Sequence, residues 1–333
     1  KLLPDHIEWA KFGGAKWSGN GFYYSAYDAP EKGKEYSSKN EIHKIYYHKI
    51  GTPQSQDVLF YQNPTQPLRF YSVSLNKEET IMFLYESGAG SGMNLYVRDL
   101  RVPNSQFIQM TSNMDLEYNP IGTVGDNIYL LTNDGAPKGR IMVANVHKPG
   151  FKDWKELVGE TKNVLENAQF AADKLVLSYS KDASTHLYVY SLDGKELNEI
   201  KLPTVGRASF SGERGQKECF YSFASFTVPG AIYQYDIAQN KSSVYTEPKV
   251  KFNLNQYTTE QVFFNSKDGT RVPMFLTYRK GLKRNGKNPV LIYGYGGFNV
   301  SLSPNFSSMR IPFLENGGVY VQVNLRGGSE YGE

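Results

Sequence analysis

The stretch Leu187-Tyr-Val-Tyr-Ser-Leu192 is one copy of a pattern that occurs five times along the chain. Its mixture of aliphatic and aromatic residues is typical of a half-buried β-strand. Successive copies start 45 to 50 residues apart, which is close to the length of one β-propeller blade. The other copies are Ile45-Tyr-Tyr-His-Lys-Ile50, Leu95-Tyr-Val-Arg-Asp-Leu100, Ile141-Met-Val-Ala-Asn-Val146 and Ile232-Tyr-Gln-Tyr-Asp-Ile237.

A second strand pattern precedes each copy, separated from it by turn-rich segments such as residues 87–92 and 132–137. This arrangement predicts a hairpin within each of five blades. A β-sandwich with coincidental spacing is the alternative, and five regularly spaced copies disfavour it. Because no WD or kelch motif is present, the prediction rests on the period alone. The preceding strands are Phe22–Ser25, Ile81–Tyr85, Ile128–Leu131, Leu175–Tyr179 and Cys219–Phe223.

Composition excludes several classes of protein. The 37 Lys and Arg residues against 33 Asp and Glu leave a net charge of +4, too small at this length to indicate a nucleic-acid or anionic-membrane partner. No apolar run approaches the roughly 18 residues of a membrane helix. The single cysteine, Cys219, allows no intrachain disulfide, and we expect it to be a small buried hydrophobe.

The pattern changes after residue 253. Residues 261–278 predict a hairpin around Lys267-Asp-Gly269. Two apolar strands follow, Val290–Tyr293 and Gly317–Asn324, with a helix expected between them near residues 306–316. Both strands are expected to be covered on both faces, as in a parallel sheet. The sequence therefore predicts an incomplete propeller over residues 1–253 and the beginning of an α/β-hydrolase domain over residues 254–333.

The turn after the first of these strands is rich in glycine, Tyr293-Gly-Tyr-Gly-Gly-Phe298. In α/β-hydrolases such a turn supplies part of the oxyanion hole, and Tyr295 is placed to add a phenolic O–H to it. The turn lacks the spacing of phosphate-binding and dinucleotide-binding loops. We expect no cofactor and no metal.

The rest of a serine hydrolase is missing from these residues. There is no Gly-x-Ser-x-Gly, and Ser329 in Gly327-Gly-Ser-Glu-Tyr-Gly332 is interpreted as a loop residue. All five histidines precede residue 187, and each is interpreted as a solvated or hydrogen-bonded strand histidine with no metal-site spacing. They are His6, His43, His48, His147 and His186.

The order of these features resembles the prolyl oligopeptidase family of serine peptidases. The specific matches are Ser266–Phe275, Leu291–Asn299 and Glu315–Tyr320, and a looser similarity covers essentially the whole chain. The family has a seven-bladed propeller, of which about five to six blades would be represented here. Its enzymes are longer at both ends, so we expect an interior fragment whose serine, aspartate and histidine lie outside it. Ser329 stands where the family usually has glycine.

The resemblance implies roles for four residues. Tyr295 would be the oxyanion-hole hydroxyl, and Phe298 would line the S1 pocket against a proline ring. Phe12 matches an aromatic residue of the S3 region, and Phe70 would lie near it. For Phe12 and Phe70, ordinary strand packing is the alternative interpretation.

The function implied is that of part of a serine endopeptidase that cleaves short proline-containing peptides on the carboxyl side of proline. The propeller would gate access by size, and the chain alone would be inactive. No nucleic-acid or membrane partner is expected, and the whole enzyme would be a cytoplasmic or periplasmic monomer. The alternative is a stand-alone β-propeller scaffold protein with a non-catalytic extension.

Overall fold

The computed structural model of the protein describes residues 3–90, 92–111 and 113–332. The predicted turn 87–92 includes Ser91, which lies outside these ranges, as do Lys1 and Glu333 at the limits of the predicted domains. Within the described residues, the strands form six four-stranded sheets. The chain divides into a first unit, Lys1–Asp134 with Ile141–Glu156, and a second unit, Gly135–Arg140 with Leu157–Glu333.

Three sheets begin in the first unit, and in each of them consecutive strands are neighbours. Aliphatic and aromatic residues that point inward from the second and third strands form the core, including Phe83 and Leu95. The strands are β1 Ala15–Ser18, β2 Gly21–Ala26, β3 Lys44–Lys49 and β4 Val58–Tyr61; β5 Phe70–Leu75, β6 Ile81–Ser87, β7 Met93–Asp99 and β8 Ile108–Gln109; and β9 Tyr118–Val124, β10 Asn127–Thr132, β11 Arg140–Asn145 and β12 Lys155–Val158.

The second unit contains two further sheets of the same kind. Their core includes Leu187, Val189 and Cys219, none of which is exposed to solvent. Cys219 is a free thiol inside this core, as predicted. The strands are β13 Val164–Ala171, β14 Lys174–Lys181, β15 Ser184–Ser191 and β16 Glu196–Ile200; and β17 Arg207–Ser211, β18 Glu218–Ser225, β19 Val228–Asp236 and β20 Lys241–Thr246.

The five repeat copies confirm the predicted period. Each copy falls on the third strand of a sheet, namely β3, β7, β11, β15 or β19, and each preceding pattern falls on the second strand. The alternation arises because successive side chains of a strand point to opposite faces. Leu187 and Val189 of β15 are accordingly buried, whereas Tyr188 between them is partly exposed. Each of these five four-stranded sheets has the construction of one β-propeller blade.

The sixth sheet differs in topology. Its strands are β21 Tyr257–Asn265, β22 Arg271–Arg279, β23 Val290–Tyr295 and β24 Val319–Asn324, in the spatial order β21-β22-β24-β23. The β21–β22 hairpin turns at residues 266–270, and β23 and β24 are parallel, as the sequence predicts. The predicted helix is present but short, α1 Ile311–Glu315.

The two apolar strands of this sheet differ in burial. Strand β24 is buried, but β23 is exposed along its whole length, with Ile292 at 67%. β23 is the edge strand of the sheet in the described residues, pairs on one side, and is exposed on both faces. Its apolar composition is typical of a covered strand, but composition does not reveal which element would cover it.

No helix in the described part of the chain has the length and apolar character needed to cross a membrane.

Candidate functional site

Tyr295 is the last residue of β23 and lies opposite Asn324 of β24 in the parallel pairing. The residue is 40% exposed, so part of its surface is accessible to a ligand. The chain then turns at Gly296, where it passes very close to a neighbouring segment. A Cβ atom at Gly296 would lie 2.5 Å from the Arg326 carbonyl oxygen and 2.6 Å from the Leu325 Cβ. Glycine at this position therefore lets the turn pack against the segment that follows β24.

Phe298 follows in a left-handed backbone conformation, with φ 54°, and the residue is 93% exposed. A bulky residue in that conformation costs about 1–3 kcal/mol and persists where the surroundings fix it. Two backbone hydrogen bonds do so: Val300 N–H donates to the Gly297 carbonyl, and Asn299 N–H donates to the Gly327 carbonyl, both at 3.1 Å. The turn therefore presents an aromatic ring to solvent a few residues from the Tyr295 phenol.

A buried carboxylate supports the turn. Glu330 is 4% exposed, and its Oε1 accepts from Leu302 N–H at 3.0 Å and from Asn324 Nδ2 at 2.9 Å. The same Nδ2 also donates to the Leu302 carbonyl at 2.6 Å. Because charge-assisted hydrogen bonds are stronger than neutral ones, Glu330 ties the segment after Phe298 to the end of β24.

Ser329 acts as a loop residue here, in agreement with the sequence. Its hydroxyl lies 3.0 Å from the Asn299 carbonyl, to which it donates, and 2.9 Å from the Ser301 hydroxyl. Sequence reasoning did not find Glu330 or Asn324. The signal that could have found Glu330 is an ionisable residue between Gly327-Gly328 and Gly332, at a place where the chain otherwise makes tight turns.

The structure brings Phe12 and Phe70 together in the first unit. Their ring centroids are 5.6 Å apart in an edge-to-face arrangement, and Tyr27 lies 6.4 Å from Phe12 in a similar geometry. Phe12 precedes β1, has φ 56° and is 67% exposed. Strand packing therefore suits Phe70, the half-buried first residue of β5, and does not account for Phe12.

The histidines have hydrogen-bond or ionic partners, as predicted. His48 is fully buried, with Nδ1 2.7 Å from Asp57 Oδ1 and Nε2 3.0 Å from Asp5 Oδ1. His43 is also fully buried and is bonded to backbone groups. His186 lies 2.7 Å from Glu199, while His6 and His147 face Glu8 and Asp126 at the surface. Within the ranges that the structure describes, no cluster of His, Cys, Asp or Glu could hold a metal ion.

Comparison with known families decides the assignment. The family model described as "Prolyl oligopeptidase, N-terminal beta-propeller domain" matches residues 1–248. The chain belongs to the prolyl oligopeptidase family. Among curated relatives, it is 39% identical over 335 residues to a prolyl endopeptidase of Elizabethkingia meningoseptica, covering 100% of this chain and 47% of that protein. It is 33% identical over 351 residues to prolyl oligopeptidase A of Amanita bisporigera, covering 99% and 46%.

Solved structures of the family agree with the fold. A structure from a study of two prolyl endopeptidases superposes with a TM-score of 0.85 at 36% identity, covering 98% of this chain and 48% of that one. Prolyl oligopeptidase B from Galerina marginata, without ligand, gives 0.88 at 27% identity, covering 99% and 47%. The chain thus spans about half the length of the relatives that it matches.

Proposed function

We propose that this chain is part of a serine endopeptidase that cleaves short peptides on the carboxyl side of proline. The observation that carries the proposal is the end of β23 and the turn that follows it, where the partly exposed Tyr295 is close in sequence to a solvent-facing ring, Phe298. A peptidase needs a hydrogen-bond donor where the carbonyl oxygen gains negative charge. The Tyr295 O–H is such a donor at the end of a strand, where its backbone is fixed.

Phe298 accounts for the proposed preference for proline. Proline has a rigid ring and no N–H, so it fits an apolar pocket beside an aromatic face with little loss of conformational entropy. A ring that is 93% exposed on a hydrogen-bonded turn has room to receive such a partner. We assign Phe298 to the S1 pocket.

Phe12 and Phe70 would contact the substrate further from the scissile bond, in the S3 region. An edge-to-face pair with one largely exposed ring offers an apolar surface for an aromatic or apolar side chain. This assignment gives a reason for the exposure of Phe12, which packing within the unit does not explain.

We further propose that residues 1–253 form the propeller part and residues 254–333 the beginning of the peptidase domain. The propeller would gate access by size, admitting short proline-containing peptides and excluding folded proteins. We assign no nucleophile, base or acid among residues 1–333, so the chain alone would be inactive. We place the whole enzyme, as a monomer, in the cytoplasm or the periplasm.

The names of the relatives support the substrate class. The Elizabethkingia protein is a prolyl endopeptidase, and prolyl oligopeptidase B from Galerina marginata has been solved with a 35mer hydrolysis and macrocyclization substrate bound. Both proteins contain regions beyond the part that this chain matches.

The test is hydrolysis by the full-length protein of two reporter amides, benzyloxycarbonyl-Gly-Pro- and benzyloxycarbonyl-Gly-Ala-aminomethylcoumarin. We expect kcat/KM for the proline amide to exceed that for the alanine amide at least about tenfold. One to two methylenes and a ring contact in an apolar pocket give a discrimination of this size. Equal rates would contradict the assignment of Phe298, and no hydrolysis of either amide would favour the stand-alone scaffold protein.

A further inference from the structure

The first unit contains a buried histidine that the proposed function does not use. His43 lies just before β3 and is not exposed to solvent. Its Nδ1 accepts a hydrogen bond from the Tyr71 backbone N–H at 2.9 Å, and its Nε2 lies 3.0 Å from the Lys11 carbonyl oxygen. An N–H group can only donate and a carbonyl can only accept. The two contacts together therefore require a neutral ring with its proton on Nε2.

These two backbone groups adjoin the aromatic pair. The Lys11 carbonyl belongs to the peptide bond that leads into Phe12, and the Tyr71 N–H belongs to the peptide bond that follows Phe70. The His43 ring also contacts Phe70 edge-to-face, with 5.9 Å between centroids, and lies 4.8 Å from the Tyr27 ring. One imidazole thus joins the backbone beside both members of the pair and packs against two of the surrounding rings.

The loop that His43 holds is conformationally strained. Trp9 and Phe12 both have left-handed backbone angles, with φ 59° and 56°. Such angles persist where neighbouring groups determine them. The Lys11 carbonyl lies between these two residues, so its hydrogen bond to His43 acts at the centre of the strained segment. That bond therefore constrains the backbone that leads into Phe12.

We propose that His43 is a positioning residue for the Phe12–Phe70 aromatic pair, and that the pair keeps its geometry only while the imidazole is neutral. A second proton on Nδ1 would face the Tyr71 N–H, and this contact between two donors would displace the ring and break the bond from Nε2 to the Lys11 carbonyl. For its effect on catalysis, this inference rests on the proposed function of the pair in binding substrate.

Few charged or titratable groups act on the ring. Burial lowers the pKa of His43 from its ordinary value, and the Lys11 carbonyl raises it by a smaller amount. The Lys11 ammonium is bonded to Asn40, and the Tyr71 phenol is bonded to Glu86. Tyr27 is the titratable side chain in ring contact, and burial raises its pKa. His43 is therefore neutral at pH 7. It binds a second proton only at a pH below the ordinary pKa of a histidine.

Two amide variants separate the two hydrogen bonds. In His43→Gln the amide NH₂ reaches the place of Nε2 and can donate to the Lys11 carbonyl, while in His43→Asn the amide oxygen takes the place of Nδ1 and can accept from Tyr71. Neither amide titrates. His147→Gln is the matched control, because it changes a surface histidine of the same unit that faces Asp126.

The experiment compares two substrates of the full-length enzyme from about pH 5 to 8, benzyloxycarbonyl-Gly-Pro-aminomethylcoumarin and acetyl-Gly-Pro-aminomethylcoumarin. The first places an aromatic group in the S3 region and the second does not. Groups that titrate in the catalytic step affect both substrates, so they cancel in the ratio of the two kcat/KM values. We expect this ratio to fall about two- to tenfold at the acid end, the value of one aromatic contact.

In His43→Gln the ratio of the two kcat/KM values should stay high at every pH. In His43→Asn the ratio should be low at every pH. In His147→Gln the ratio should fall in acid as it does in the unsubstituted protein. A flat ratio in the unsubstituted protein, or an unchanged acid decline in His43→Gln, overturns the inference.

A second measurement does not depend on activity. Nitrogen-15 NMR of the imidazole at pH 7 should show a protonated Nε2 and an unprotonated Nδ1 for His43. The opposite tautomer, or a doubly protonated ring at neutral pH, overturns the inference even if the enzyme cleaves neither amide or the variants do not fold. Failure of both amides together with the expected tautomer contradicts the proposed function and leaves the hydrogen bonds of His43 established.

Discussion

Tyr295 lies opposite Asn324 across the parallel pairing of β23 and β24, and the Asn324 amide binds both Glu330 and the Leu302 carbonyl. The residue that carries the phenol is therefore paired with a residue that belongs to a buried hydrogen-bond network. Preorganised donors stabilise a transition state because they need no reorganisation during the reaction. This pairing gives the exposed edge strand a fixed end at the place where the proposed chemistry occurs.

Glu330→Ala should destabilise the turn. The substitution leaves the Leu302 N–H and the Asn324 amide without their buried acceptor, which costs about 1–3 kcal/mol. Urea unfolding should show this loss, and hydrogen exchange should be faster at the Leu302 amide. Glu315→Ala, at an exposed site at the end of α1, is the matched control and should change the free energy of unfolding by less than about 0.5 kcal/mol. Similar behaviour of the two variants would remove Glu330 from the support of the turn.

Gly296→Ala should move the turn as a unit. The added methyl group would meet the Arg326 carbonyl oxygen and the Leu325 Cβ at distances that real Cβ atoms do not adopt, so the backbone must shift. We expect a loss of about 1–3 kcal/mol in the free energy of unfolding, together with reduced turnover in the full-length enzyme. Gly150→Ala has open space around the new Cβ and is the control. A neutral effect of Gly296→Ala would contradict the close approach.

Much of the fold could be predicted because the repeat is local. Alternating side chains reveal a strand whichever sheet it joins, so the copy at Leu187–Leu192 was predicted as a strand, and the structure makes it the third strand of its sheet. The exposure of β23 could not be predicted, since the same apolar residues suit a strand with or without a cover. The hydrogen bonds of Glu330 form only because the fold brings residues 302, 324 and 330 together. No pattern in the sequence predicts that these residues are in contact.

The contribution of the buried His48 to the stability of the first unit should depend on pH. Burial lowers the pKa of His48, but its hydrogen bonds to Asp5 and Asp57 outweigh burial, and the pKa is raised above 6.5. The Gly51 N–H, followed by His48, lowers the pKa of Asp5 below 3.8. The stabilisation is therefore fully present between about pH 4 and 6.5. It is lost as the pH rises through the folded-state pKa of His48, and also in strong acid as Asp5 is protonated.

The free-energy difference between the unsubstituted protein and His48→Gln, from urea unfolding at several pH values, should follow this profile. His147→Gln, at the surface of the same unit, should show a small difference throughout. A difference for His48→Gln that grows as the pH rises from 6 to 9 would mean that the ring is held neutral and not charged between the two carboxylates.

Phe12→Ala should change selectivity more than stability. Because the ring is 67% exposed, its removal should leave the melting temperature nearly unchanged. In the full-length enzyme, kcat/KM for a substrate with an aromatic group in the S3 region should fall about two- to tenfold, while an acetyl-capped substrate should be unaffected. Tyr36→Ala, at a fully exposed aromatic residue of the same unit, is the control. Equal losses for both substrates would assign Phe12 to folding and not to binding.

The most direct test of the central claim is the kinetics of Tyr295→Phe in the full-length enzyme with benzyloxycarbonyl-Gly-Pro-aminomethylcoumarin. This change removes one hydroxyl from an accessible side chain and keeps the ring, so the fold should be preserved. If Tyr295 donates to the developing oxyanion, kcat should fall about 10²–10³-fold, with KM changing by no more than about twofold. An unchanged kcat, in a variant that melts at the same temperature as the unsubstituted enzyme, would contradict the claim.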